Sequence, residues 1–134
     1  MIYTLYRIAY WSLYARDGIM ILDMKIAPSE LVTSRLGLRK LRDEDIEPFA
    51  AMNADARVME FFPRTWSFEE SKAALVRIEE GFQDRGFGIY AVECQSVFSG
   101  IVGLSVPSFE AHFTPCVEIL WRLVPPVLGK RVCI

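Results

Sequence analysis

The sequence has one histidine, His112, in 134 residues. A site built on two or more imidazoles is excluded. Cysteine is also scarce: Cys94, Cys116 and Cys133 are odd in number and no CxxC pair occurs. That excludes a zinc ribbon or a disulfide framework, and the three are expected to be reduced, structural thiols in a cytoplasmic protein. No metal site is expected. Charge of neither sign is concentrated. The net charge is -2, with 15 basic and 17 acidic residues interspersed along the chain. Without a basic block or stripe, nucleic acid is not an expected partner. No uninterrupted apolar run is long enough to span a bilayer, and the amino terminus lacks the basic start and clean apolar middle of a secretory signal. What remains suits one compact domain, 52% hydrophobic and long enough to bury a core.

Residues 1–24 differ from the rest. Tyr3, Tyr6, Tyr10, Trp11 and Tyr14 stand among aliphatics, interrupted by Arg7, Arg16 and Asp17. They read as an extension upstream of a domain over residues 25–134, and Met20 and Met24 are alternative starts.

From Thr33 to Arg39 apolar and polar residues alternate, with Leu36 and Leu38 on one side and Arg35 and Arg39 on the other. That period of two predicts a strand with one buried face. Asp43, Glu44 and Asp45 then favour a helix start, because carboxylates cap orphan N–H groups and oppose the dipole. Ile46, Phe49 and Ala50 share a helical face, and Pro48 fits only a first turn. Asp55 is expected to cap a second, short helix carrying Val58, Met59 and Phe62, ended by Pro63. Ser67-Phe68-Glu69-Glu70 is a capping box opening a longer helix, with Phe68, Leu75, Ile78 and Phe82 on its buried stripe and Arg85-Gly86 as the stop. Three strands follow, over residues 88–93, 98–104 and 116–124, the first two joined as a hairpin. The last carries bulk on both faces and is expected to be central. Helices and sheet are segregated, so the fold class is α+β.

Several of these pieces resemble the GNAT N-acetyltransferase superfamily, and within it the ribosomal-protein-acetylating type. They are Thr33-Ser34-Arg35-Leu36 with Leu38-Arg39, Arg42-Asp43-Glu44-Asp45, Asp55-Ala56-Arg57-Val58-Met59, Arg85-Gly86-Phe87-Gly88 with Tyr90-Ala91-Val92, Ile101-Val102-Gly103-Leu104, and Glu118-Ile119 with Trp121-Arg122-Leu123. The order and spacing over about residues 33–130 carry the resemblance. It implies a mixed, mostly antiparallel sheet with helices, of which this chain holds the amino-terminal part. It also implies acetyl transfer from acetyl-CoA, a co-substrate, to a primary amine on a protein N-terminus or a small molecule. The amine attacks directly in a ternary complex, with no metal and no membrane.

The resemblance also implies site residues. Main-chain groups of Trp121, Arg122 and Leu123 would hold the pantetheine arm, and Glu118 would be the general base that frees the amine. A glycine-rich loop opening a helix would cradle the pyrophosphate, since successive N–H groups form an anion nest. Only Gly129 of residues 126–131 fits that loop: Pro126 has no N–H and Arg131 stands where a small residue is required. Lys130 adds positive charge there. Phe62 and His112 are the candidate acceptor contacts. The sequence leaves its pattern at Pro126 and reads as truncated within the loop. Two alternatives follow: a catalytically silent fragment, or an interaction module that pairs through the exposed edge of its last strand.

Overall fold

The structure, a computed structural model, describes residues 28–125 and the two-residue strand Tyr10–Trp11. The expectations for Gly129 and Lys130, and most of those for residues 1–24, lie outside the described residues.

Tyr10–Trp11 is β1 and Glu30–Val32 is β2. β3 spans Gly37–Lys40 and starts later than its sequence pattern. The cause is Thr33, whose Oγ1 accepts from Leu36 N–H at 2.9 Å while its own N–H donates to Leu36 O at 2.8 Å. That closed turn folds β2 back on β3.

A 3-10 turn over Asp43–Asp45 leads into α1, Ile46–Ala54, which buries Phe49, Ala50, Met52 and Asn53. The short helix expected after Asp55 does not form. Its residues make successive turns instead, with Val58 and Met59 N–H donating to Asp55 O and Phe62 N–H to Met59 O. A segment this short, stopped by Pro63, cannot offset the cost of helix nucleation. Val58 and Met59 are nevertheless buried, at 1% and 3% exposure.

α2 is Phe68–Arg85. Ser67 Oγ accepts from Glu70 N–H at 3.2 Å, and Glu70 returns the contact to Ser67 N–H at 2.8 Å. Gly86 closes the helix in the left-handed region at φ 74. Phe68 is an exception to the predicted stripe: it lies at the first position of the helix and is exposed.

β4 (Ile89–Cys94), β5 (Val97–Ser105) and β6 (Val117–Leu123) follow. Gln95 and Ser96 both take positive φ in the two-residue turn between β4 and β5, the conformation that matches strand twist in a tight hairpin. The strand order is β1-β6-β5-β4-β3-β2, and every pairing among the described residues is antiparallel. β6 lies inside the sheet, between β1 and β5, but one of its faces is left half-exposed. Its Val117, Ile119 and Trp121 are 39%, 40% and 37% exposed, because α1 and the turns after it pack on the opposite face only.

The core joins Phe49, Met52, Val58, Met59, Ala74 and Ile101. Gly100 on β5 has φ 147, and a Cβ there would stand 2.2 Å from the carbonyl oxygen of Arg122. Only glycine lets β5 and β6 approach so closely. Cys116 is a free thiol, whereas Cys94 is disulfide-bonded, which departs from the expectation of three reduced thiols.

Candidate functional site: the edge of β6

β6 is the strand on which most of the predicted site residues lie. Ile101 pairs with Arg122, and Val124 N–H donates to Ser99 O at 3.0 Å. In an antiparallel ladder the N–H and C=O of one residue point to the same side, and the side alternates along the strand. Arg122 therefore commits both main-chain groups to β5. Ile119, Trp121 and Leu123 turn theirs to the far edge. Among the described residues, β1 meets that edge at its beginning, opposite Val117 and Glu118. Of the three residues expected to offer main-chain groups, the alternation keeps Trp121 and Leu123, withdraws Arg122 and adds Ile119.

Arg122 has a different place. Its side chain is 7% exposed and points to the helical face. Nη1 donates to Asn53 Oδ1, and the guanidinium lies 4.6 Å from the Phe62 ring centroid and 4.9 Å from that of Trp66. Asn53 is fully buried. Its Nδ2 donates to Ser71 Oγ at 3.1 Å, and its carbonyl accepts from Trp66 N–H at 2.9 Å. Asn53 thus ties β6 and α2 together through its side-chain amide, and the 55–66 connection through its main-chain carbonyl. Phe62 stacks on Arg122 and is half-buried, whereas its neighbour Phe61 is 60% exposed.

Glu118 sits on the same face as Arg122, two repeats of the pleat upstream and opposite Ser105. Burial raises its pKa, and a hydrogen bond with Ser105 opposes that shift in part. A carboxylate so placed is a stronger proton acceptor than one in water. His112 lies in the loop before β6, exposed, with its ring edge-on to Phe113 at 5.0 Å.

Where β6 ends, an open groove is lined by Ala51, Met52, Asp55, Arg57 and Pro125. Arg57 grips Asp55 at 3.0 and 2.6 Å and holds its pKa down to about 2. Among the described residues no group of three or more His, Cys, Asp or Glu could hold a metal ion, and no helix is long and apolar enough to cross a membrane.

Sequence reasoning missed Asn53, Trp66, Ser71 and Ser105. Asn53 lies near the end of α1 as the hub of the buried cluster. Only the strand register puts Ser105 opposite Glu118.

An antiparallel sheet with its helices packed on one face, and a last strand that carries a half-buried carboxylate, is the architecture of an acyl-CoA-type acyltransferase domain. The chain belongs to the GNAT acetyltransferase family: the family model described as "Acetyltransferase (GNAT) domain" matches residues 35–134. Two solved structures share the fold. A putative GnaT-family acetyltransferase from Bordetella pertussis aligns with a TM-score of 0.65 at 17% identity, over 79% of this chain and 66% of that one. An acetyltransferase from Agrobacterium tumefaciens str. C58 aligns with a TM-score of 0.63 at 18% identity, over 86% of this chain and 63% of that one. The chain thus spans just under two thirds of the length of these structures.

Proposed function

We propose that this chain acts in acetyl transfer from acetyl-CoA to a primary amine, of the ribosomal-protein-acetylating type and in the cytoplasm. The observation that carries the reading is the far edge of β6 beside Glu118, where Ile119, Trp121 and Leu123 have no main-chain partner among the described residues. The outward N–H and C=O groups of Ile119, Trp121 and Leu123 suit the amides of a pantetheine arm, which would add to the sheet as a short strand. Gly129 and Lys130 would follow on the phosphate side.

Acetyl-CoA supplies the thioester carbonyl that the amine attacks, with coenzyme A leaving as the thiol. The chain's own residues do the rest. Glu118, its pKa raised by burial, takes the proton of the incoming ammonium so that the nitrogen lone pair is free. Ser105 holds the carboxylate in place. An N–H at the β6 edge polarises the carbonyl. Phe61 and His112, both exposed on segments flanking this region, are the acceptor contacts on this reading, and Phe62 acts from behind them.

Calorimetry with acetyl-CoA, combined with amide exchange, tests the proposal. The expected result is binding, with slowed exchange at Ile119, Trp121 and Leu123 and no change at Arg122. The absence of heat at millimolar ligand sinks it.

A second reading rests on the half-exposed row Val117, Ile119 and Trp121 beside that edge. Two chains could pair there by strand addition. Sedimentation decides, and a strict monomer removes this reading.

A further inference from the structure

We propose that Arg122 and Asn53 are positioning residues for the cofactor edge: their buried contact fixes the height and register of β6, so that the main-chain groups of Trp121 and Leu123 stand ready for a ligand. The inference rests on the reading that acetyl-CoA binds along β6.

The geometry separates two roles within three consecutive residues. Trp121 and Leu123 face the open edge with their main chain, while Arg122 between them faces β5 with its main chain and the helices with its side chain. Among the described residues, β6 is paired along its length with β5 but with β1 only at its beginning, which leaves the stretch from Ile119 to Leu123 held from one side. That stretch is also held from above. The guanidinium lies over the Phe62 and Trp66 rings and is bonded to Asn53, which is anchored in turn to Ser71 of α2 and to Trp66 N–H. Below, Gly100 allows the Arg122 carbonyl to lie close against β5. Arg122 is therefore fixed on three sides. A planar, always-charged group suits such a seat, and the lysine ammonium does not reproduce it.

The same contact joins the two halves of the proposed site. Phe62 and Trp66 belong to the connection that carries exposed Phe61, so the acceptor side and the cofactor edge share one buried fastening.

The test compares acetyl-CoA affinity and amide exchange in the whole chain, Arg122→Met, Arg122→Lys and Phe82→Leu. Phe82 packs on Tyr90 at the far end of α2 and serves as a control for general loss of stability. R122M is expected to weaken binding about tenfold, the size of coupling typical of residues in one network. It should also lose the ligand-induced protection at Trp121 and Leu123. F82L, at a comparable fall in Tm, keeps both. R122K retains the charge without the plane and is expected to fall between, about threefold weaker; it carries the test if R122M does not fold. Equal losses in R122M and F82L overturn the inference, as do unchanged affinities in R122M and R122K while the wild-type chain binds. Failure of the wild-type chain to bind overturns the acetyl-CoA reading itself, and the inference with it.

Discussion

Arg39 Nη1 and Nη2 donate to the two carboxylate oxygens of Asp45 at 2.6 and 2.8 Å, beneath the turn that opens α1. Arg42 N–H adds a third bond to Asp45 at 2.7 Å, and Arg39 Nε donates to Glu93 at 2.7 Å. The pair is buried, so its worth shows when one partner is removed rather than in its formation.

Asp45→Asn is expected to cost about 3–5 kcal/mol, because it leaves the Arg39 charge without its main counter-ion. Burial alone would raise the Asp45 pKa, but the Arg39 hydrogen bonds and the Arg42 N–H outweigh it and the net shift is downward. A lowered folded pKa means the unfolded chain binds the proton first. Stability is then full above the ordinary carboxylate range and is lost as pH falls through the lowered value. Urea melts from pH 2 to 7 check this, and D45N should flatten the acid limb.

Glu118→Gln is expected to lower acetyl transfer by roughly 10²–10⁴-fold, the usual share of a general base. Stability should move the other way. A carboxyl whose folded pKa is raised loses stability as pH climbs through the interval above its unfolded value. The amide carries no such penalty, so E118Q should melt no lower than wild type at neutral pH, and higher as pH rises through that interval. Rate against pH in the wild type should rise through the raised pKa and then level off.

Ser67→Ala removes the acceptor for Glu70 N–H and is expected to cost about 1 kcal/mol. The measurement is thermal melting. Ser67→Asp should hold or exceed the wild-type Tm, since aspartate also caps and favours the helix dipole.

Gly100→Ala places a Cβ 2.2 Å from the Arg122 carbonyl and 2.8 Å from Leu123 Cα, at a φ that side chains avoid. Both effects oppose the fold, and a loss of roughly 1–3 kcal/mol is expected from the backbone conformation alone. Because the obstruction is main chain, the two strands must part. Amide exchange at Val124, which bonds Ser99, should speed up more than exchange in β3.

Much of this was legible before any coordinates. The capping box at Ser67, the stop at Gly86 and the hairpin at residues 94–97 rest on local chemistry, and each forms where the residues place it. Thr33 and Asp55 were harder. Both are residues whose side chains bond their own backbone, so a pattern of alternation or of helical spacing runs through them while the chain turns. The surroundings of Arg122 were harder still. An arginine in a strand reads as solvent-facing, and only tertiary packing brings the Phe62 and Trp66 rings against it and Asn53 to its tip. The half-exposed row on β6 could not be told from a buried one, because its three large side chains look the same in sequence whether or not a helix covers them.

A binding edge made of main-chain atoms leaves almost no mark in an alignment. Ile119, Trp121 and Leu123 offer the far edge of β6 groups that every residue but proline possesses. Their identities are free to drift so long as the alternation of the strand and the seat of Arg122 endure. Chains with 17% and 18% of their residues in common with this one share its fold. Along this strand, what descent must preserve is a phase rather than a spelling.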